Sequence, residues 1–343
     1  MNSISSTTTA TTTATTTTTP SRASPGAALA SGTDTGTDTG TDTGASHLVA
    51  SDGRHLAATW FEPAADARAV AVIHSAAAVP RGYYAAFARW LASRGYAVLS
   101  YDYRGIGGSR RGAQRTALRT EPASMRDWAV LDMSAALAAA QVRRGAHGLP
   151  LLLIGHSFGG NGLGFADGVE KADAILTVAA QFGEPRLYPG VHRWVAAAFF
   201  YAWLPAVTRL MGYAPGWALR SGEAMPRGVA LQWSRWGRTR GWAYADAAMA
   251  VHRAASAICA PVHLWNISDD LVYAPPRAVD ALAEVFRHAA VQRHELTPQD
   301  VGRTRLGHFG AFRREPGALL WRRLLAPIEQ AAPALRDAGL TPD

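Results

Sequence analysis

The chain has 343 residues, 48% hydrophobic and 17% charged, a length that supplies one large domain or two ordinary ones with ample surface for a core. The net charge of +8 invites a nucleic-acid partner. Yet only Lys171 of the 34 basic residues is lysine, and the arginines follow no single periodic face, so that partner is excluded. The one cysteine, Cys259, excludes a disulfide framework and a cysteine-based zinc site, and is expected to be buried and inert.

Residues 1–46 are dominated by Ser, Thr and Ala, with TDTG three times over from Thr33 to Gly44. So little apolar surface cannot offset the entropy of ordering, so the segment is expected to be disordered and dispensable, with the fold starting near His47. No basic segment leads into an apolar one there, which argues against a secretory signal and makes the cytoplasm the expected location. The runs HLVA and LAATWF flank Ser51-Asp52-Gly53-Arg54, a hairpin signal. Buried strands are then predicted over Ala69–Ile73, Tyr96–Tyr101, Leu151–Ile154 and Ala174–Val178. Between them fall helices, one carrying Tyr84, Phe87, Trp90 and Leu91 on one face, one starting at Ser124 with Asp127 as its capping pair, and one over Gly159–Ala166.

The alternation stops at Gln181 and resumes near Pro261. Six of the eleven tryptophans lie between, in an insertion that reads as helical and broken at Pro205, Pro215 and Pro226. Its most apolar part, Trp194–Val207, is too short and too interrupted to span a bilayer, and no transmembrane segment is expected. Strands over Val262–Ile267 and Val291–Leu296 and helices over Arg277–Arg287 and Leu319–Gln330 complete the pattern. Apolar strands alternating with helices imply an α/β fold, a doubly wound, mostly parallel sheet over 47–180 and 256–335, with a helical cap inserted at 181–255.

The strongest local signal is Gly155-His156-Ser157-Phe158-Gly159, a G-x-S-x-G after a buried strand and before a helix. That turn lifts a serine hydroxyl above the sheet edge, and the small glycines permit the tight backbone. A nucleophile at Ser157 needs a base and the base an orienting acid. His308, in a Gly-flanked loop after the last strand, is the base, in preference to His74 and His156 beside the elbow and to His288 and His294. Asp270 is taken as the acid over Asp269, which stands closer to the strand end. Backbone N–H groups of Phe158 and of either Ser75 or Ala76 would form the oxyanion hole. No cofactor or metal is called for.

From His47 to about residue 330 the chain resembles the α/β-hydrolase superfamily, in particular the predicted hydrolases related to monoacylglycerol lipase and the serine-aminopeptidase-like proteins. The residues carrying the resemblance are His74, the run from Gly95 through Asp102-Tyr103-Arg104-Gly105 to Ser109, the GHSFGG elbow, Asp270 and His308. It implies Ser–His–Asp roles and a variable cap between the sixth and seventh strands. Where that family usually has His-Gly after the first parallel strand, this chain has His74-Ser75.

Nucleotide binding fails on the residues. The loop Gly105-Ile106-Gly107-Gly108-Ser109-Arg110 has Arg where the third glycine should stand, and a P-loop would need a lysine that only Lys171 could supply. Its arginines, Arg104 to Arg119, read as solvated surface. The expected partner is a small-molecule ester with an apolar acyl group, held against Trp194, Phe200 and Trp203 of the cap. Acyl transfer, peptide hydrolysis with the same triad, and a non-catalytic ligand-binding role are the alternatives.

Overall fold

A computed structural model describes residues 41–335, apart from 113–114, 146–147, 220–221 and 316. Eight strands form one sheet: β1 (Thr41–Val49), β2 (His55–Glu62), β3 (Ala69–His74), β4 (Tyr96–Tyr101), β5 (Leu151–His156), β6 (Ala174–Val178), β9 (Val262–Ile267) and β10 (Val291–Leu296). A separate two-stranded ribbon within the insertion supplies β7 (Tyr213–Ala214) and β8 (Met225–Pro226). The large sheet runs in the order β1-β2-β4-β3-β5-β6-β9-β10. Its first two pairings are antiparallel and the rest parallel. Every residue of β3, β4, β5 and β6 is buried, as helices on both faces require. The chain leaves β3 in opposite directions to β4 and to β5, so the crevice at the carboxyl ends of β3 and β5 is the switch point where such sheets place a site.

The ordered chain starts earlier than its composition suggests. β1 begins at Thr41, where Thr41 pairs with Glu62 and Asp42 with Phe61 before an irregularity between Asp42 and Ala45. Ladder hydrogen bonds come from the backbone and need no apolar side chain, so the last TDTG repeat extends the strand. The expected disorder of residues 1–40 lies outside the described residues. The elbow helix is also shorter than expected, Phe158–Asn161 followed by a single 3-10 turn at Leu163–Phe165. Four glycines between 159 and 164 make a longer helix costly. The Ser124–Asp127 capping box forms as predicted, each side chain accepting the other's backbone N–H.

The insertion departs most from expectation. Pro205 does not end its apolar helix, which runs unbroken from His192 to Met211, 20 residues, long and apolar enough to cross a membrane by length and composition. A π-turn at Phe199–Trp203 makes this possible, with the Leu204 N–H reaching back to the Phe199 carbonyl. In that wider register Pro205 would face the Phe200 carbonyl, which instead accepts the Ser234 hydroxyl at 2.7 Å. The extra residue also brings Ala196, Phe200, Leu204 and Thr208, four apart, onto one buried face.

Two further expectations are corrected. Cys259 is exposed, not buried. Arg104 is not solvated surface but buried, its guanidinium 2.6 Å from Asp132 and 2.6 Å from Asp52.

Candidate active site

At the end of β5 the backbone turns so sharply that Ser157 adopts φ 52° and ψ −119°, a left-handed conformation costly for any residue with a Cβ. The turn is held by the Ser157 N–H, which donates to the Val178 carbonyl at 3.0 Å. The flanking glycines are needed for contact distance. A Cβ on Gly159 would stand 1.9 Å from the His74 carbonyl oxygen, and one on Gly155 2.4 Å from the Gly160 Cα. The elbow therefore packs backbone against backbone on the loop that follows β3.

The adjacent carboxylates after β9 divide their work. Asp270 Oδ2 lies 2.6 Å from His308 Nδ1, both groups buried, while Asp270 Oδ1 accepts the Tyr273 N–H at 3.1 Å. Asp269 accepts the backbone N–H groups of Leu306 and Gly307 at 3.0 and 2.9 Å, and so anchors the loop that carries His308. The imidazole is stacked on Tyr273, ring centroids 4.8 Å apart. With Nδ1 committed to Asp270, Nε2 is the ring nitrogen left for any further partner. Ser157 and His308 open onto the same cavity, although their side chains do not hydrogen-bond each other among the described contacts. Such bonds commonly tighten only around substrate.

His156 and His74 are unavailable as bases for a specific reason. The His156 Nε2–H donates to the His308 carbonyl at 2.9 Å, and its Nδ1 therefore accepts from the Tyr84 hydroxyl at 2.7 Å. Tyr84 in turn accepts the Ala76 N–H at 2.9 Å. These bonds run one way, from the β3 loop through Tyr84 and His156 to the backbone of His308. Nothing in the sequence marks Tyr84 for this role, because His156 lies 72 residues away and the helical spacing of Tyr84 reads as core. Burial, then the neighbouring His308, hold the His156 pKa well below the usual histidine value. Burial alone brings His74, bonded through Nδ1 to Tyr101 at 2.7 Å, down to about 3.

A pH dependence of stability follows from these two neutral rings. The unfolded chain takes up protons near its ordinary histidine pKa of about 6.5, while the folded chain does not, so the stability is present above that pH and is lost as pH falls below it. Each histidine contributes up to about 1.4 kcal/mol per pH unit. The Asp132 carboxyl, which burial holds up at about 7, offsets one of them because the folded chain keeps a proton there that the unfolded chain releases. We therefore expect the denaturant midpoint still to fall between about pH 6.5 and about pH 4.5, with a net slope of about 1.4 kcal/mol per pH unit. A flat profile across this window would contradict the burial of neutral His74 and His156.

Of the oxyanion candidates, Phe158 and Ala76 line the cavity and Ser75 does not. Phe158 is the first residue of its helix, so its N–H has no intrahelical acceptor. The Ala76 N–H is the one held by Tyr84. The Ser75 carbonyl accepts the Tyr103 hydroxyl at 3.2 Å.

Above the elbow lies a cavity of about 550 Å³. Its walls come from the insertion, chiefly Phe199, Phe200, Trp203, Trp217, Trp233 and Trp242. Phe200 and Trp203 thus stand where the sequence expected them. Trp194 does not: it is 68% exposed and lines a second cleft on the outer side of the same helix. Trp194 lies two positions before the buried Ala196 and nine before Trp203, about half a turn round the helix in each case, so regular helical spacing already sets it on the outer face. None of the residues lining the main cavity is Asp, Glu, Lys or Arg. Among the described residues no cluster of His, Cys, Asp and Glu could hold a metal ion.

The sequence profile of the serine aminopeptidase S33 family matches residues 65–299. No curated protein matches the chain. Among solved structures, a soluble variant of monoglyceride lipase from Saccharomyces cerevisiae, in complex with a substrate analog, is 12% identical with a TM-score of 0.58 over 84% of this chain and 95% of that one. An esterase from Pyrococcus furiosus is 16% identical with a TM-score of 0.52 over 84% of this chain and 91% of that one. At such identities these two likenesses concern the fold, which is the α/β-hydrolase fold. The family match spans most of the sheet together with the elbow, and by it the chain belongs to the serine aminopeptidase S33 family of α/β hydrolases.

Proposed function

We propose that the protein is a serine hydrolase that cleaves carboxylic esters with an apolar acyl group. The observation that carries this reading is the aromatic cavity of about 550 Å³ opening onto both Ser157 and His308, with Asp270 bonded to the far side of the imidazole. In this reading His308 takes the Ser157 proton as the hydroxyl attacks the ester carbonyl. Asp270 stabilises the imidazolium, and the Phe158 N–H supports the developing oxyanion, joined by Ala76 if Tyr84 releases it. The imidazolium then protonates the departing alkoxide, and water activated by the same ring releases the acid. An aminopeptidase would need a carboxylate to hold the substrate's terminal ammonium, and the cavity lining offers none. The cap at 181–255 acts here as the acyl-binding wall, with Phe200 and Trp203 in contact with the chain.

A series of nitrophenyl esters tests this. Each methylene buried in the transition state is worth about 0.8 kcal/mol, so kcat/KM should rise about fourfold per carbon until the cavity is full. Phe200→Ala and Trp203→Ala should move the optimum chain length. An optimum at acetate or propionate that neither substitution moves would refute the acyl-cavity reading, and failure of a fluorophosphonate to label Ser157 would refute the hydrolase reading itself.

A further inference from the structure

The outer face of the helix His192–Met211 is unusual for a protein surface. It exposes Trp194 at 68%, Tyr201 at 59% and Leu210 at 85%, and continues onto Trp203 and onto Trp217 at 66%, both at the cavity rim. Contiguous exposed apolar residues of this size mark an interaction surface. Its inner face, Ala196, Phe200, Leu204 and Thr208, is packed on the protein, so the helix lies along the surface.

Charge identifies what the surface meets. The insertion 181–255 holds nine Arg against Glu184, Glu223 and Asp246, so +6 of the chain's +8 is gathered there. The three acids are already paired, with Arg186, Arg110 and Arg235. Beside the helix a cleft of about 410 Å³ is lined by Arg193, Arg238 and Arg240, by the Glu184–Arg186 pair, and by Trp194 and Tyr201. Arg193 lies over the Trp194 ring and Arg238 over the Tyr201 ring, which places guanidinium groups at the edge of the apolar surface. Apolar residues rich in Trp and Tyr, bordered by arginine, suit the boundary between acyl chains and anionic headgroups. A second copy of the chain fits less well, because a twofold contact through this face would set Arg193, Arg238 and Arg240 of one copy against those of the other.

We propose that the helix His192–Met211 docks the protein on an anionic lipid bilayer, with Trp194, Tyr201 and Leu210 entering the headgroup boundary and Arg193, Arg238 and Arg240 meeting lipid phosphates. Trp203 and Trp217 then bring the cavity rim to the membrane, so that an acyl substrate passes from lipid to Ser157 without crossing water. Only this last step rests on the ester-hydrolase reading.

Docking is tested by co-sedimentation of the full chain carrying Ser157→Ala with phosphatidylcholine vesicles, with and without phosphatidylglycerol, so that it is read apart from catalysis. Binding is expected only with phosphatidylglycerol. The pairs Trp194→Ser/Leu210→Ser and Arg193→Glu/Arg240→Glu should each weaken partitioning about tenfold or more. In the catalytically intact background the same pairs should leave Tm and turnover of a short water-soluble ester unchanged. Three results would overturn the proposal: no binding to the anionic vesicles, equal binding to neutral ones, or a dimer in size-exclusion chromatography that Trp194→Ser/Leu210→Ser converts to monomer.

Discussion

Ser157→Ala should abolish ester turnover, by about 10³-fold or more, with an unchanged Tm, since the substitution keeps the Cβ and removes only the hydroxyl. Ser157→Gly should be equally inactive but more stable. The backbone at this position sits at φ 52°, and removing the Cβ releases a strain on the order of 1–3 kcal/mol. The two variants together separate the chemistry of the hydroxyl from the conformational cost of presenting it. His308→Ala should approach Ser157→Ala in severity, and Asp270→Asn should be milder, because the acid orients the ring and steadies its charge. Asp269→Asn should lower Tm as well as turnover, since an amide cannot accept both N–H groups that Asp269 now holds. A Ser157→Ala protein retaining more than a few per cent of wild-type turnover would remove Ser157 as the nucleophile.

Arg104→Ala should be among the most damaging single changes to stability. Burial pushes the Asp132 carboxyl up to about 7 against the pull of the Arg104 charge. The guanidinium Nε and the Arg104 backbone N–H bond its two oxygens at 2.7 and 2.9 Å. The same guanidinium reaches Asp52 in the β1–β2 hairpin, and the Arg104 carbonyl accepts the Trp128 indole N–H at 3.0 Å. Removing one partner of a buried pair leaves the other charge uncompensated, at a cost of about 3–5 kcal/mol. Replacing both, as Arg104→Met/Asp132→Leu, should recover much of that loss. Chemical denaturation reads both variants, and a loss below about 1 kcal/mol for Arg104→Ala would show that the pair is not what holds the hairpin.

The sheet was legible in the sequence wherever a strand is an apolar run stopped by a breaker. Tyr96–Tyr101 and Ala174–Val178 fall at the expected bounds because Gly95, Asp102 and Asp173 punctuate them. The glycine-framed elbow, His308 and Asp270 were legible for a similar reason, since the chemistry of the residues and their place after a strand are both local facts. What escaped depends on phase or on distance along the chain. Trp194 faces outward because it stands two positions before Ala196, a phase that can be read only once the buried face of the helix is known. Pro205 continued its helix because Ser234, 29 positions later, meets the freed carbonyl. Arg104 became a core residue only when Asp132 and Asp52 converged on it, and the arginines of the insertion form a basic face only when folded.

The bond between His156 and the His308 carbonyl fixes more than two loops. His156 is the neighbour of Ser157 in the chain, so Ser157 and His308 are joined by a tether of two adjacent residues and one hydrogen bond. Asp269 and Asp270, also neighbours, grip the backbone and the ring of the same histidine loop. The ends of β5 and β9 are thus both bonded to the loop of His308, at residues within two positions of Ser157, Asp270 or His308. Slow flexing of the sheet would carry Ser157, His308 and Asp270 along as one body, leaving their mutual spacing nearly untouched.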